Sequence, residues 1–414
     1  MADPVTLAGV RVLDLTRSMA GPWTSRMLAD AGAEVIKVEP PMGDFIRHLP
    51  ASLGEFTSGY FQQANSGKRS VCLDLHTAEG IDLVMELVPH ADVVLHNMRP
   101  NAAQRLGLVA ERVHELNPKA VFCQICGYGD VEELADKPGQ DMAIQCMTGL
   151  SLLTGERGGE PAVPIWSMVD TLTSAYAFTG IAAALYARAS NGLSRIAIQV
   201  SMARCAAQLH DLGPFLLGRG ENVAVERRGQ FHPFLVLRGV VATGDGYIAI
   251  SAYRNRHWLR FAPLIGFGGE LVSSDARRQE QEAIEARTVR TFGLLGSTEA
   301  LSLLASAGVP AARVAESLEE VAESGYFQER AMLVPSGGGL FAGSIVHPDR
   351  SAAALDAGPP ALGEAGVDVP GGLLGLSGDR ILELLRNGVV ACEPGVLESL
   401  LAACEEGSVA NDVA

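Results

Sequence analysis

The sequence predicts an α/β protein: a large, doubly wound, Rossmann-like domain on a parallel sheet, then a smaller α+β domain, joined by long linkers. Three observations lead there. Residues 1–130 alternate short apolar runs with amphipathic stretches, the pattern of strands separated by helices. Gly244-Asp245-Gly246 stands between two β-rich runs and signals an antiparallel hairpin. The chain has 414 residues, more than one typical domain.

The elements follow in order. Val10–Leu15 reads as the first strand. Pro22 suits the first turn of a helix running to about Ala31, where Gly32 stops it. Glu34–Glu39 is the second strand, ended by Pro40 and Pro41, and Ser70–Asp74 is the third. Ile81–Val88 reads as a helix, Asp92–His96 as a strand, Ala110–Leu116 as a helix and Ala120–Cys126 as a strand. In such sheets ligands sit beyond the carboxyl ends of the strands. Val169–Arg188 is a long Ala-rich helix, and Ser201–Leu217 holds another.

The expected boundaries are a large domain over 1–218, a linker over 219–233 and a small α+β domain over 234–332. A Gly/Pro-rich linker over 333–370 and a C-terminal segment over 371–414 complete the chain. In the small domain, strands Val236–Ala242 and Tyr247–Ser251 flank the hairpin. Helices follow near Trp258–Leu264, Gln279–Thr291 and Thr298–Ala305, and Ser317 with Glu320 has capping-box spacing. Arg380–Gly388 is the final helix.

Composition bounds the function. Hydrophobic residues make up 48% and charged residues 19%, enough for a packed core and unlike a disordered chain. Lys and Arg total 32 against 48 Asp and Glu, a net charge of −16. That balance excludes a uniformly basic nucleic-acid binder and leaves room for an anionic ligand in a locally basic pocket. No run approaches the roughly 18 to 20 uninterrupted apolar residues of a spanning helix, and Met1–Pro4 carries no basic leader. A cytoplasmic protein without a membrane partner is expected. Cys123 and Cys126 form a C-x-x-C inside a strand, where they point to opposite faces and read as buried thiols.

The expected fold calls for a dinucleotide fingerprint, yet Thr16–Pro22 after the first strand holds no G-x-G-x-x-G. No P-loop occurs, and the nine histidines show no metal spacing. A nicotinamide oxidoreductase, a P-loop enzyme and a metal site are therefore not expected. What remains is cationic. Arg17, Lys37, Arg47, Lys68, Arg69, Arg99 and Arg105 fall at or near strand ends. Each alone reads as solvated charge, but together they suit a ligand with several phosphates. Asp170 sits where an apolar run turns into the long helix. It reads as an N-cap held ionised by the helix dipole or as a nucleophile. Position alone leaves both open.

An ordered series of motifs spans the chain. Gly9–Thr16 with Ala20–Pro22 opens it, then Gly32–Glu39 with Gly43, Asp44 and Arg47, then Asn65–Ser70 with Leu73 and Asp74. Asp92–Asn97, Arg99-Pro100, Arg105–Gly107, Asn117-Pro118 and Gly127–Gly129 continue, and Pro138–Asp141, Gln145 and Thr148-Gly149 lead to Asp170. Gly308–Pro310, Pro359-Pro360, Leu362–Glu364 and Gly388–Val390 close it. In this series the chain resembles the family III CoA-transferases, the group of formyl-CoA, carnitine and bile-acid CoA-transferases.

The resemblance implies that coenzyme A is carried as an acyl-CoA co-substrate, with no metal, and that a small carboxylic acid is the acceptor. It implies Asp170 as the nucleophile, passing through an aspartyl anhydride and an aspartyl-CoA thioester. It implies CoA contacts at Met19, Ala20, Leu73, Asp74, Leu75, His76, Asn97, Met98, Arg99, Arg105, Gln140 and Asp141. Met19 stands where formyl-CoA enzymes have Gln, and Pro40 where they have Arg. Arg228–Pro233 replaces their glycine run, which puts His232 near the acyl group, and glycines around Gly229 would supply oxyanion donors. An interlocked homodimer is also implied. Two alternatives stay open: an α-methylacyl-CoA racemase or isomerase on the same fold, for which Gln140 lacks the needed acid/base chemistry, and a non-catalytic CoA-binding protein.

Overall fold

The computed structural model describes residues 6–50, 52–54, 56–129, 133–210, 218, 227–268, 271–329, 332–336, 339–343 and 358–405. Two compact units divide it: residues 1–144, 165–209 and 325–414 in the first, and 145–164 with 210–324 in the second.

The first unit is built on a seven-stranded sheet. Its strands include β1 (Arg11–Leu15) and β2 (Glu34–Glu39), then, past a short ribbon of β3 (Ser52–Gly54) and β4 (Thr57–Ser58), β5 (Arg69–Leu73). β6 (Val93–His96), β7 (Val121–Cys126) and β8 (Ala197–Ser201) complete the parallel set. The chain steps from β1 to β2 to β5 in one direction and from β6 to β7 to β8 in the other. The switch point lies between β1 and β6, whose Leu15 and His96 are paired.

Both faces of the sheet are covered, so its strands are near-continuous apolar runs. On one face Leu13, Leu15, Ile36, Val38, Val71 and Val94 meet Leu83, Leu87 and Val113 from the following helices. On the other, Val12, Val35, Val93, Leu95 and Ile125 meet two helices. These are α1 (Ala20–Asp30) and a 24-residue helix, Met168–Asn191, stopped by Gly192 in the left-handed region at φ 66°. The long helix is apolar and long enough to cross a membrane, but Val169, Thr173, Ala177, Ile181, Ala184 and Leu185 are buried inside the protein. Cys123 is fully buried and its thiol is pushed up to about 12 by burial, an inert structural thiol.

The C-terminal part corrects the reading of 333–370 as a plain linker. Leu333–Ser336 and Gly339–Ala342 pair as a hairpin, and a helix begins at Asp368. Leu362, Ala365 and Val367 are buried, and the Ala365 amide donates to Ser70 O at 2.8 Å. Apolar residues at irregular intervals among glycines carry no helix or strand period, so the sequence hid them. The final expected helix is present as Gly378–Arg386. It leads into Val390–Ala391, which adds to β5 antiparallel, and then into an unexpected helix, Pro394–Glu405. Residues 211–217, 219–226 and 344–357 of the expected helix and linkers lie outside the described residues.

In the second unit the hairpin strands are Arg238–Thr243 and Gly246–Ser251, with Ala311–Arg313 on the far edge. Asp245 in the turn accepts from the amide and hydroxyl of Ser297, both at 2.7 Å, and so caps the helix that starts there. Trp258, Phe261, Phe292 and Ile248 are the core. Ser317 caps its helix through the Glu320 amide, while the Glu320 carboxylate takes the amide of Glu316. Residues 145–164, expected inside 1–218, group with this unit. Arg227 donates to Gly159 O, the Gly229 amide donates to Gly155 O, and Arg157 pairs with Glu282.

Candidate active site

The site grows from the two loops at the switch point. From Thr16 to Ser18 the described backbone bonds of the β1–α1 turn are made to side chains. Asp14 accepts from the Thr16 amide at 2.9 Å, and Lys37 Nζ donates to Thr16 O at 2.8 Å. Asn97 closes a two-way pair with Arg17, accepting from its amide at 2.9 Å and donating to its carbonyl at 2.7 Å. Asp44 accepts from the Ser18 amide at 3.2 Å. This clamp holds Ser18 at φ 69°, a left-handed conformation that an L-residue seldom takes without such constraint. The turn delivers Ala20, at the first turn of α1, to a cavity of about 230 Å³. First-turn amides lack intrahelical partners and carry the positive end of the dipole.

The opposite wall comes from the end of β7. Gly127 and Gly139 both line the cavity and touch backbone to backbone. A Cβ on Gly127 would lie 2.8 Å from Gly139 Cα, and one on Gly139 would lie 2.5 Å from Gly127 Cα. Only two glycines allow this approach. Asn97, Met98, Arg99, Pro100, Lys137, Pro138, Met202 and Asp170 complete most of the wall.

Asp170 is the third residue of the long helix, not its N-cap; Ser167 holds that place without a side-chain bond. The cap comes from elsewhere. Asp141 begins the helix Asp141–Met147, and its carboxylate accepts the Asp170 amide at 2.9 Å. None of the described hydrogen bonds reaches the Asp170 carboxylate. Burial and the neighbouring Asp141 charge push it up to about 7. The expectation that the helix dipole keeps it ionised meets two opposing effects, burial and the like charge of Asp141.

The other expected contacts separate into groups. Ala20, Asn97, Met98 and Arg99 share the cavity with Asp170. Met19 does not; it packs against Ile46, Phe61 and Ala64. Leu73 is buried in the core with Leu75 and Met98 against it. Asp74 accepts from the amide and ring of exposed His76 at the end of β5. Arg105 is exposed at the end of helix Pro100–Arg105, and Gln140 is exposed just before Asp141. Gly229 and His232 belong to the second unit. The Gly229 amide is engaged by Gly155 O at 3.1 Å, which removes it as an oxyanion donor. His232 Nδ1 accepts from the amides of Phe234 and Leu235.

The cationic rim also resolves. Lys37, Arg47 and Lys68 are buried and paired with Asp44, Glu39 and Asp14, so they hold the fold and are closed to a phosphate. Arg69 turns to Glu34 and Asp368. Arg17, Arg99 and Arg105 stay exposed. Of these Arg99 lines the cavity, where it is joined by Lys137, a cation not expected from the sequence. Its signal was its place in Lys137-Pro138-Gly139-Gln140, immediately before Asp141.

Comparison with known proteins bears on this arrangement. Residues 7–365 match CoA-transferase family III. The chain is similar to the succinate–glutarate CoA-transferase of Agrobacterium fabrum, 34% identical over 307 residues, covering 71% of this chain and 74% of that one. It is similar to the acetyl-CoA:oxalate CoA-transferase of Acetobacter aceti at 30% identity, over 82% and 88% of the two chains. The crystal structure of a CAIB/BAIF family protein from Brucella suis matches with a TM-score of 0.72 at 31% identity, covering 89% of this chain and 99% of that one. With a match that begins just before β1 and runs to Ala365, where the chain returns to β5, this protein belongs to CoA-transferase family III and is a CoA-transferase.

Proposed function

We propose that the protein moves coenzyme A from an acyl-CoA donor to a small carboxylic acid, with Asp170 as the covalent carrier. The observation that carries this reading is a carboxylate, without a described hydrogen bond of its own, on the wall of the switch-point cavity. An Asp170 oxygen attacks the thioester carbonyl carbon, the C–S bond breaks, and sulfur leaves as thiolate with the bonding pair. The thiolate then attacks the aspartyl carbonyl of the anhydride and releases the donor acid, leaving an aspartyl thioester. The acceptor carboxylate attacks that thioester and frees the thiolate again. The thiolate takes the acceptor acyl group and returns Asp170 as a carboxylate. Group-transfer energy passes from thioester to anhydride to thioester, provided water is excluded.

This chain's residues supply the rest. Arg99 and Lys137 place positive charge at the cavity, where a thiolate or a phosphate gains from it. First-turn amides of α1 border the same space at Ala20 and suit a developing oxyanion. The described residues lining the cavity include no histidine, so a racemase acid/base pair gains no support from them. Relatives named for succinate, glutarate and oxalate make short dicarboxylic acids the acceptor class we propose. The test is intact mass spectrometry after mixing with succinyl-CoA, with hydroxylamine trapping. A CoA-sized adduct mapped to Asp170, discharged by glutarate or oxalate, is expected. Steady transfer without any adduct or trapped ester at Asp170 would overturn the reading. The family resemblance also supports a homodimer; light scattering showing 43.5 kDa for folded protein at micromolar concentration would refute it.

A further inference from the structure

We infer that Asp141 is a positioning residue that favours covalent loading of Asp170: it pins the first turn of the long helix through the Asp170 amide and sets a second negative charge beside the nucleophile, and acylation of Asp170 relieves that repulsion. The inference rests on the reading of Asp170 as the covalent carrier.

The two carboxylates are bonded unequally. Asp141 accepts the Asp170 amide at 2.9 Å. Asp170 has no described donor on its own carboxylate, and burial with the Asp141 charge works against its ionisation. The other groups around it do not offset this by direct pairing. Arg99 and Lys137 lie on the cavity wall without a described ion pair to Asp170. The end of β7 presents Cys126, α1 presents Ala20, and helix Met202–Ala207 presents Met202.

The charge accounting of the reaction gives this asymmetry a use. When the Asp170 oxygen bonds to the acyl carbon and the C–S bond breaks, the negative charge leaves with sulfur. Asp170 is then neutral as an anhydride, and it is neutral again as an aspartyl thioester. In both intermediates the charge that opposed Asp141 is gone. A fixed Asp141 anion therefore raises the resting ionised enzyme relative to both covalent states, a ground-state effect built from geometry alone. A neutral neighbour would hold the turn equally well but would not bias the equilibrium.

Asp141→Asn separates the two roles, because the amide oxygen still accepts the Asp170 N–H. With succinyl-CoA as donor, the fraction of enzyme held as the aspartyl-CoA adduct at neutral pH should fall several-fold in the variant. The acid limb of adduct formation should move down by roughly one pH unit or more. An unchanged adduct fraction and an unchanged limb would overturn the inference. Should the variant fail to fold by circular dichroism, a carbon-13 NMR titration of the wild-type Asp141 and Asp170 carboxyls decides. An Asp141 carboxyl resonance that moves again as Asp170 titrates supports the pair, and an Asp170 midpoint in the ordinary carboxylate range overturns it. If the wild type forms no adduct at all, the nucleophile reading itself fails; if it forms one and Asp141→Asn matches it, only the role of Asp141 fails.

Discussion

Two clusters of charge, one buried and one half-buried, lie within the first unit, and they are built in opposite ways. Around β1 and β2, every acid meets a base: Lys68 with Asp14 at 3.1 Å, Lys37 with Asp44 at 3.2 Å, Arg47 with Glu39 at 2.7 Å. Burial opposes the charge on Glu39, but Arg47 and Lys37 hold it down to about 2. At the cavity, an acid meets an acid, and Asp170 is pushed up to about 7. The same residue types thus serve architecture where opposite charges are matched and chemistry where like charges are crowded. The matched cluster clamps the Thr16–Ser18 turn, and the crowded one faces that turn across the cavity.

The largest effect should come from the crowded cluster. Asp170→Ala is expected to lower transfer by about 10³-fold or more, since no other described carboxylate lines the cavity. The fold should not suffer. Above an unfolded value near 3.8, the unfolded chain loses the Asp170 proton while the folded chain keeps it up to about 7. The folded state binds more protons in that window, so Asp170 subtracts stability as pH rises through it. Asp170→Asn should therefore be more stable than the wild type at pH 8 and nearly equal at pH 4, read by urea denaturation at both values. A variant less stable at pH 8 would break the contrast.

Arg47→Met probes the matched cluster. It leaves Glu39 charged and buried, and it removes bonds to Phe56 O and Pro360 O and the guanidinium stacked 3.6 Å over Phe61. A loss of about 3–5 kcal/mol is expected in urea titrations. The pH signature is opposite to that of Asp170. Stability from Glu39 is present above the unfolded value of 4.5 and is lost as pH falls towards about 2. Arg47→Met should flatten that acid slope.

The contrast also explains what could be read before folding. The parallel sheet was legible because each strand is a short apolar run with a helical period between runs. Glu34–Glu39 is observed as expected, and Ala110–Leu116 likewise. Asp170 was legible through its motif. The sorting of cations was not: Lys37 and Arg99 look alike in a sequence, and only packing shows one fully buried against Asp44 and the other exposed. Nor could spacing reveal that Asp141 reaches the Asp170 amide, because 29 residues separate them. The hairpin and helix inside 333–370 were hidden because their glycines outvote their few buried side chains.

Gly127→Ala sharpens the comparison at the cavity wall without touching a charge. Its Cβ would sit 2.8 Å from Gly139 Cα, and two backbones have no flexible end to yield. Overpacking of this kind costs about 1–3 kcal/mol. Because Pro138 and Gly139 share the wall with Asp170, turnover should drop about 10-fold while the pH limb set by the carboxylates stays in place. A shifted limb would mean that the wall, and not Asp141, sets the protonation of Asp170.

The smallest effect should come from Arg105, which belongs to neither cluster. It ends its helix exposed, and no described ion pair involves it. Removal should leave stability within about 0.5 kcal/mol of wild type. If Arg105 reaches the phosphates of coenzyme A, Arg105→Ala should weaken CoA binding about 10-fold by calorimetry, or about 1.4 kcal/mol. Arg105→Lys should recover only part, because an ammonium lacks the planar fork that grips two phosphate oxygens. The loss should shrink at high salt, where an exposed pair is screened. Unchanged affinity in Arg105→Ala would remove it from the CoA site and leave Arg99 and Lys137, already at the cavity, as the cations that meet the anionic ligand.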